Sequence, residues 1–236
     1  MTAPGPGTLN YQVSGTGPPL IFIHGLAGSF SWWQKNIDAC REHFQTYSVD
    51  LLGFGSSRRL GRFDLEASIP LLLAWMEERG IARASVVGHS MGGLIAARLA
   101  AEAPDRVDKL VLVDAAFLAF DSGVFKRGIG LVDALRQVPH DFLPLIARDS
   151  LRAHPFSLFA ATRQLLRSDW SHLLSAIEAP TLIIWGDRDS VTPLKIGKAI
   201  HLAIPGSKLV VIDRAGHTPM WDQPETFNQA LLDFLI

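Results

Sequence analysis

The sequence holds little cysteine and no excess of either charge. Cys40 is the only cysteine in 236 residues, which excludes an internal disulfide framework and any cysteine-rich metal site. Lys and Arg together number 22 and Asp and Glu number 23, so the formal net charge is -1. A chain with this charge balance lacks the excess of basic residues that binding to a polyphosphate needs, and we expect no nucleic-acid partner.

Long hydrophobic runs and a secretory leader are also missing. No segment approaches the roughly 18 apolar residues that a membrane helix needs. Residues 1–11 contain neither Lys nor Arg and no apolar run like that of a secretory signal. We therefore expect a cytoplasmic protein with no membrane association, although a secreted chain that has lost its leader would look the same.

What the sequence does contain is an alternation of short β-rich runs with helical stretches. Most of the runs are continuously apolar, as expected of strands that are covered on both faces. This alternation predicts an α/β fold with a mostly parallel central sheet flanked by helices. The predicted strands are residues 20–23, 46–50, 84–87, 109–113, 181–185 and 208–212. The predicted helices lie near residues 31–42, 65–79, 91–101, 194–202 and 224–235.

Residues 117–174 interrupt this alternation. They carry helix-like pieces, scattered aromatic residues and basic residues, but no convincing strand. The simplest interpretation is a helical insertion that emerges from one end of the sheet. We therefore predict a core domain made of residues 1–116 and 175–236, with the insertion between its two parts.

The strongest chemical signal is a G-x-S-x-G pattern at residues 88–92, centred on Ser90. A predicted strand precedes it and a small-residue helix start follows it. A sharp strand-to-helix turn needs glycine on both sides, because the backbone crowds itself there. Such a turn would expose the Ser90 hydroxyl at the positive end of a helix, as a nucleophile requires. The alternative is a glycine-rich turn without chemistry.

A serine nucleophile needs a base, and the base needs an orienting acid. His217 follows the last predicted strand, and Asp187 and Asp189 follow the strand before it. All of these positions come just after the carboxyl ends of predicted parallel strands, where ligands bind in open α/β sheets. Asp114 also ends a strand, so three aspartates are candidates for the acid.

Two loops after the first predicted strands contribute further features. His24 lies in a turn with Leu26, and this turn offers a second backbone N–H to the site. We interpret His24 itself as structural. The next loop contains Gly53 and Gly55, which allow a tight turn but do not complete a dinucleotide-binding fingerprint.

Taken in order, these motifs resemble the α/β-hydrolase fold superfamily, in its cap-bearing, esterase-like branch. The similarity runs from about residue 9 to residue 236. The matching residues are His24 and Gly25, Asp50 with Gly53 and Gly55, the 88–92 pattern, Gly186 with Asp189, and Gly216 with His217.

The resemblance implies a role for each site residue. Ser90 is the nucleophile, His217 the base and Asp189 the acid, because the family places the acid three residues after a glycine. The backbone N–H groups of Leu26 and Met91 form the oxyanion hole.

The resemblance also implies that residues 117–174 form a small helical cap, inserted after the sixth strand. The N-terminus is short and, unlike that of relatives, is expected to lack the family's first strand. Substrate is not implied, because the cap is the most variable part of the family. Aromatic residues expected to contact it are Trp32, Trp33, Phe117, Phe120 and Trp170.

The expected activity is hydrolysis of small-molecule carboxylic esters with small to medium acyl chains, without a metal or an organic cofactor. Two enzymatic alternatives use the same site: a lactonase, and a C–C bond hydrolase of ring-cleavage products. This chain resembles the C–C hydrolases in its elbow and in Phe227 and Asn228. A third alternative is a non-enzymatic ligand receptor of the same fold.

Overall fold

The computed structural model describes residues 9–117, 138–167 and 170–236. A seven-stranded sheet with the order β1-β3-β2-β4-β5-β6-β7 runs through them. Strand β1 pairs antiparallel with β3, and the other neighbouring strands pair in parallel. The strands are β1 Asn10–Ser14, β2 Pro19–Ile23, β3 Gln45–Asp50, β4 Ala84–His89, β5 Val107–Val113, β6 Thr181–Gly186 and β7 Lys208–Ile212.

Helices cover both faces of this sheet. Successive strand residues are buried on opposite sides, so that Ile21 packs in one apolar cluster and Phe22 in the other. This two-sided burial is the reason for the continuously apolar strand sequences. The α-helices are α1 Gln34–Cys40, α2 Ser68–Glu78, α3 Met91–Glu102, α4 Leu143–Arg152, α5 Pro155–Arg167, α6 Leu194–Ala203, α7 Pro219–Asp222 and α8 Pro224–Leu235. Short 3-10 helices are Phe30–Trp33, Gly55–Arg59, Pro104–Arg106 and Ser171–Ala176.

The predicted α/β sheet with flanking helices is confirmed, and the six predicted strands correspond to β2–β7. The expectation that the chain lacks the family's first strand stays a prediction, since residues 1–8 lie outside the described part of the chain. The sequence did, however, fail to reveal a strand before residue 20. Residues Asn10–Ser14 form β1 at the edge of the sheet, paired with β3 over five residues. Because this strand is only partly buried and its sequence is polar, Asn-Tyr-Gln-Val-Ser, it lacks the apolar run that revealed the other strands.

The insertion follows β5, the fifth strand of this chain, and its place after the sixth strand in the family's count stays a prediction. Its described part, residues 138–167 and 170–174, contains α4, α5 and the start of a 3-10 helix, and no strand. The predicted cap boundaries stay a prediction. Phe120, which is among the predicted substrate contacts, lies outside the described residues. Within the described ranges, none of the helices combines the length and apolar character needed to cross a membrane.

Candidate active site

Ser90 lies at the sharp turn between β4 and α3. Its backbone has φ +52° and ψ -116°, an unusual conformation for a residue with a side chain. The Ser90 N–H donates to the carbonyl of Val113 at 2.9 Å. A methyl group on Gly92 would collide with the carbonyl oxygens of Ile23 and His24. The turn therefore depends on glycine at this position because the backbone of the neighbouring strand passes so closely.

The imidazole of His217 lies between Ser90 and Asp189. Its Nε2 is 3.0 Å from Ser90 Oγ, and its Nδ1 is 2.7 Å from Asp189 Oδ2. In the tautomer that donates its Nδ1 proton to Asp189, Nε2 is the acceptor for the Ser90 hydroxyl. The three residues follow β4, β6 and β7, whose carboxyl ends meet at one edge of the sheet.

Asp189 is buried and is held by four donors. Its Oδ1 accepts from the N–H groups of Val191 at 2.7 Å and Thr192 at 2.9 Å. Its Oδ2 accepts from Thr192 Oγ1 at 2.6 Å and from His217. Burial acts to raise the pKa of Asp189, but the charge of His217 and these hydrogen bonds outweigh it and lower the pKa to about 2. Asp189 is therefore ionised at neutral pH.

The other two candidate acids make different contacts. Asp114 Oδ1 accepts from the N–H of Gly186 at 3.1 Å, and Asp187 Oδ1 accepts from the N–H of Ala215 at 3.2 Å. Of the three carboxyl groups, Asp189 is the one with a hydrogen bond to His217. The alternatives that the sequence leaves open are thus separated by geometry.

Asp114, Asp189 and His217 are also the one group in the described part of the chain with the spacing of a metal site, with ligand atoms within 4.8 Å of one another. The facing atoms of Asp189 and His217 are already joined by a 2.7 Å hydrogen bond. This geometry suits proton transfer through the imidazole, as in general-base catalysis.

The loop after β2 lies against the serine turn. A Cβ atom on Gly25 would come within 3.2 Å of the Ser90 Cβ. The next residue is Leu26, and Met91 begins α3 on the other side of Ser90. The structure thus brings together the two segments whose N–H groups are predicted to form the oxyanion hole.

His24 and Asp50 hold this loop in place. The buried His24 ring donates from Nδ1 to the Gly25 carbonyl at 2.7 Å and accepts from the Leu51 N–H at 3.1 Å. Because burial lowers the pKa of His24, the ring stays neutral and can play both roles. Asp50 accepts from the N–H of Phe30 at 2.6 Å. His24 has the structural role expected from the sequence.

Asp149 joins the insertion to the same loop, and the sequence contains no motif that would have revealed it. Its carboxylate is buried and accepts from Ser29 Oγ at 2.7 Å and from Trp32 Nε1 at 3.1 Å. Arg148 donates to its other oxygen at 2.9 Å. Helix α4 is therefore anchored to the segment that follows Leu26.

His89 is a second residue that sequence analysis missed, although it occupies a variable position of the serine motif. It is buried, and its Nε2 donates to the carbonyl of His217 at 2.7 Å. Burial and the neighbouring His217 lower the pKa of His89 to about 3. A neutral His89 thus supports the backbone of the loop that carries His217.

The predicted aromatic contacts occupy different surroundings. Trp33 is fully buried and packs against Phe22 and Phe227, at ring distances of 5.0 Å and 6.5 Å. Trp170 stacks on the guanidinium of Arg98 at 4.0 Å. Trp32 binds Asp149, and Phe117 is buried beyond the end of β5. Their role as substrate contacts stays a prediction.

Comparisons with known proteins agree with this architecture. The family described as the alpha/beta hydrolase fold matches residues 18–173 and 159–224. A pimeloyl-acyl-carrier-protein methyl ester esterase of Vibrio atlanticus is 30% identical over 256 residues, covering 96% of this chain and 98% of its own. A 2-hydroxy-6-oxononadienedioate/2-hydroxy-6-oxononatrienedioate hydrolase of Paraburkholderia phymatum is 31% identical over 264 residues, covering 96% and 90%. Among solved structures, a thermophilic esterase from Thermogutta terrifontis superposes with a TM-score of 0.82 at 28% identity, covering 96% and 92%.

Proposed function

The chain belongs to the α/β-hydrolase family, and on that premise we propose that it hydrolyses small-molecule carboxylic esters through an acyl-enzyme on Ser90. The observation that carries the proposal is the hydrogen-bonded series Ser90, His217 and Asp189, with distances of 3.0 Å and 2.7 Å. A nucleophile, a base and an orienting acid in this geometry are what acyl transfer needs.

In the proposed mechanism His217 moves every proton. Its Nε2 takes the proton of Ser90 Oγ as that oxygen attacks the ester carbonyl, and then gives it to the leaving alcohol. The N–H groups of Leu26 and Met91 hold the negative oxygen of the tetrahedral intermediate. The same imidazole then activates water, which releases the acid from Ser90. Asp189 orients the imidazole and stabilises its positive charge.

A second candidate function is hydrolysis of a C–C bond in a ring-cleavage product. It is supported by the 31% identity to the Paraburkholderia hydrolase, which is about equal to the identity to the Vibrio esterase. We place ester hydrolysis first because the Thermogutta structure is also that of an esterase. A lactone is an internal ester and would be cleaved by the same steps.

The nucleophile is tested by replacing Ser90 with alanine. We expect kcat to fall on the order of 10⁶-fold, the size of loss measured for triad serines. Ser85→Ala is the matched control, because it removes a serine hydroxyl five residues upstream, on the strand that leads to Ser90. Retention of a tenth of the wild-type rate by Ser90→Ala, with its fold intact by thermal unfolding, would show that the nucleophile lies elsewhere.

The substrate class is tested with a panel on the purified protein. A nitrophenyl butyrate should give a burst of nitrophenol and then steady turnover, whereas a receptor would stop after the burst. We expect emulsified long-chain fat and a ring-cleavage diketone to be hydrolysed more slowly than the butyrate ester. Faster turnover of the diketone would favour the C–C hydrolase. Because His217 carries each proton, a chelator should leave turnover unchanged.

A further inference from the structure

Asp114 is a fully buried carboxyl group beside the proposed triad that the mechanism above does not use. It follows β5 with a backbone φ of +42°, which is unfavourable for a residue with a side chain. Its Oδ1 accepts from the N–H of Gly186 at 3.1 Å, whereas its Oδ2 is buried and receives no N–H or hydroxyl proton from the part of the chain that the structure describes. Buried polar atoms normally form hydrogen bonds, so this oxygen needs a partner other than an N–H or a hydroxyl group.

The neighbour that can form a hydrogen bond with the Oδ2 of Asp114 is the carboxyl group of Asp189. A carboxyl oxygen of each aspartate and a ring nitrogen of His217 all lie within 4.8 Å of one another. Two buried carboxylates at this separation cannot both be ionised, because their charges repel in a region of low dielectric. One of them must carry a proton.

The surrounding donors decide which one it is. Asp189 receives four hydrogen bonds, including one from His217, and these stabilise its negative charge. Among the described residues, Asp114 receives one hydrogen bond on its side chain, from Gly186. The proton therefore belongs on Asp114.

The other titratable groups near Asp114 reinforce this assignment. They are Asp222 on α7 and His217 after β7. Asp222 adds negative charge, and His217 already pairs with Asp189. Burial, and next to it the charge of Asp189, raise the pKa of Asp114 well above its usual range.

We propose that Asp114 is a neutral carboxylic acid whose Oδ2–H donates to the carboxylate of Asp189, and that it is a positioning residue for the Asp189–His217 pair. The proton keeps a single negative charge behind the imidazole and adds one more donor that orients Asp189. The catalytic consequence rests on the proposed function, but the protonation state does not.

The first test measures stability and needs no activity. Above pH 4 the unfolded chain releases the Asp114 proton, whose pKa there is about 3.9, while the folded chain keeps it. The wild type therefore loses stability relative to Asp114→Asn as the pH rises, since the amide has no proton to lose. We expect the Tm of Asp114→Asn minus that of the wild type to increase from pH 5 to pH 8.

Asp213→Asn is the matched control for this measurement, because Asp213 is 81% exposed and its Tm difference should be flat. A flat or falling difference for Asp114→Asn would overturn the proposal. If Asp114→Asn does not fold, the Tm comparison is replaced by infrared spectroscopy of the wild type with isotopically labelled aspartate. A protonated carboxyl band at pH 8 is then expected, and its absence would overturn the proposal.

The second test is kinetic. Asn can accept from Gly186 and donate to Asp189 as the neutral acid does, so Asp114→Asn should keep kcat within about threefold and leave the acid limb of kcat/KM unmoved. Asp114→Ala lacks the donor and should lose about 10- to 100-fold in kcat. If Asp114 were ionised, Asp114→Asn would move the acid limb to lower pH by about one unit, which would overturn the proposal. Absence of all hydrolysis in the wild type would count against the proposed function alone, because the stability and infrared tests still report on Asp114.

Discussion

At the scale of single residues, the orientation of the His217 imidazole depends on the carboxylate behind it. Asp189→Asn replaces an acceptor oxygen with an amide that can favour the wrong tautomer of the ring. We expect this variant to lose about 10⁴-fold in kcat, the size of effect seen when a triad acid becomes an amide. The measurement is kcat on a soluble ester, with thermal unfolding to check the fold.

Asp187→Asn is the matched control for that variant, since it makes the same change two residues earlier in the same loop. In the described residues, Asp187 accepts a 3.2 Å hydrogen bond from the N–H of Ala215 and lies 3.9 Å from the Arg188 guanidinium. We expect its kcat to stay within a few-fold of the wild type. If Asp187→Asn loses its activity and Asp189→Asn keeps it, the role of the acid is assigned to the wrong residue.

The pH dependence of kcat/KM should have an acid limb controlled by one proton. Only the neutral imidazole of His217 can act as the base, so activity should fall as His217 is protonated. Asp189 and His89 do not titrate in this range, because the pKa of Asp189 is lowered to about 2 and that of His89 to about 3. An acid limb that is steeper between pH 4 and pH 8 than the binding of one proton allows would contradict this prediction.

At the scale of elements, the active site depends on loops that are held together from several strands. The serine turn, the loop after β2 and the loops carrying Asp189 and His217 all lie at the carboxyl edge of the parallel strands. Helix α4 belongs to the insertion, yet Asp149 attaches it to the loop after β2 through Ser29 and Trp32. Movement of the insertion and the geometry of the oxyanion hole are therefore expected to be coupled.

We test this coupling with Asp149→Ala. The change leaves the buried donors of Ser29 and Trp32 without their charged acceptor. Lost hydrogen bonds to a charged group cost about 1.5–3 kcal/mol each, so we expect a loss of about 3 kcal/mol in the free energy of unfolding. We also expect a fall in kcat/KM. Urea unfolding and ester kinetics measure the two effects.

Asp141→Ala is the control for Asp149→Ala, because it breaks a different contact between the insertion and the core. Asp141 is 59% exposed and pairs with Lys35 at 2.7 Å. Exposed ion pairs contribute about 0–1 kcal/mol, so its unfolding should be nearly that of the wild type. Equal effects of the two variants would mean that Asp149 has no special anchoring role.

At the scale of the whole molecule, buried neutral histidines link folding to pH. The pKa of His89 is about 3 in the fold, mainly because of burial, and about 6.5 in an unfolded chain. Between these values the unfolded chain binds a proton that the folded chain does not, so this residue lowers stability as the pH falls. We expect His89→Asn to gain stability relative to the wild type from pH 7 to pH 5, measured by urea unfolding. A constant difference would show that His89 is protonated in the fold.

Much of this fold could be predicted from local sequence. Apolar runs revealed β2–β7 because these strands are buried on both faces. The polar edge strand β1 was not predicted, because only its pairing with β3 makes it a strand. The motif around Ser90 was recognisable because the sharp turn itself demands glycine at Gly88, where a Cβ atom would collide with the carbonyl of Gly92. Such features depend on neighbours along the chain.

The sequence by itself determined the α/β class, the family and a short set of candidate residues, because apolar periodicity and glycine turns are encoded locally. The resemblance favoured Asp189 over Asp114 and Asp187, but only the tertiary structure placed Asp189 within hydrogen-bonding distance of His217, since that distance depends on how β5, β6 and β7 are ordered. The tertiary structure alone revealed Asp149, which binds Ser29 across 120 positions of the chain. Contacts of that range arise from the packing of whole elements, and burial then determines which carboxyl group is charged and which is neutral.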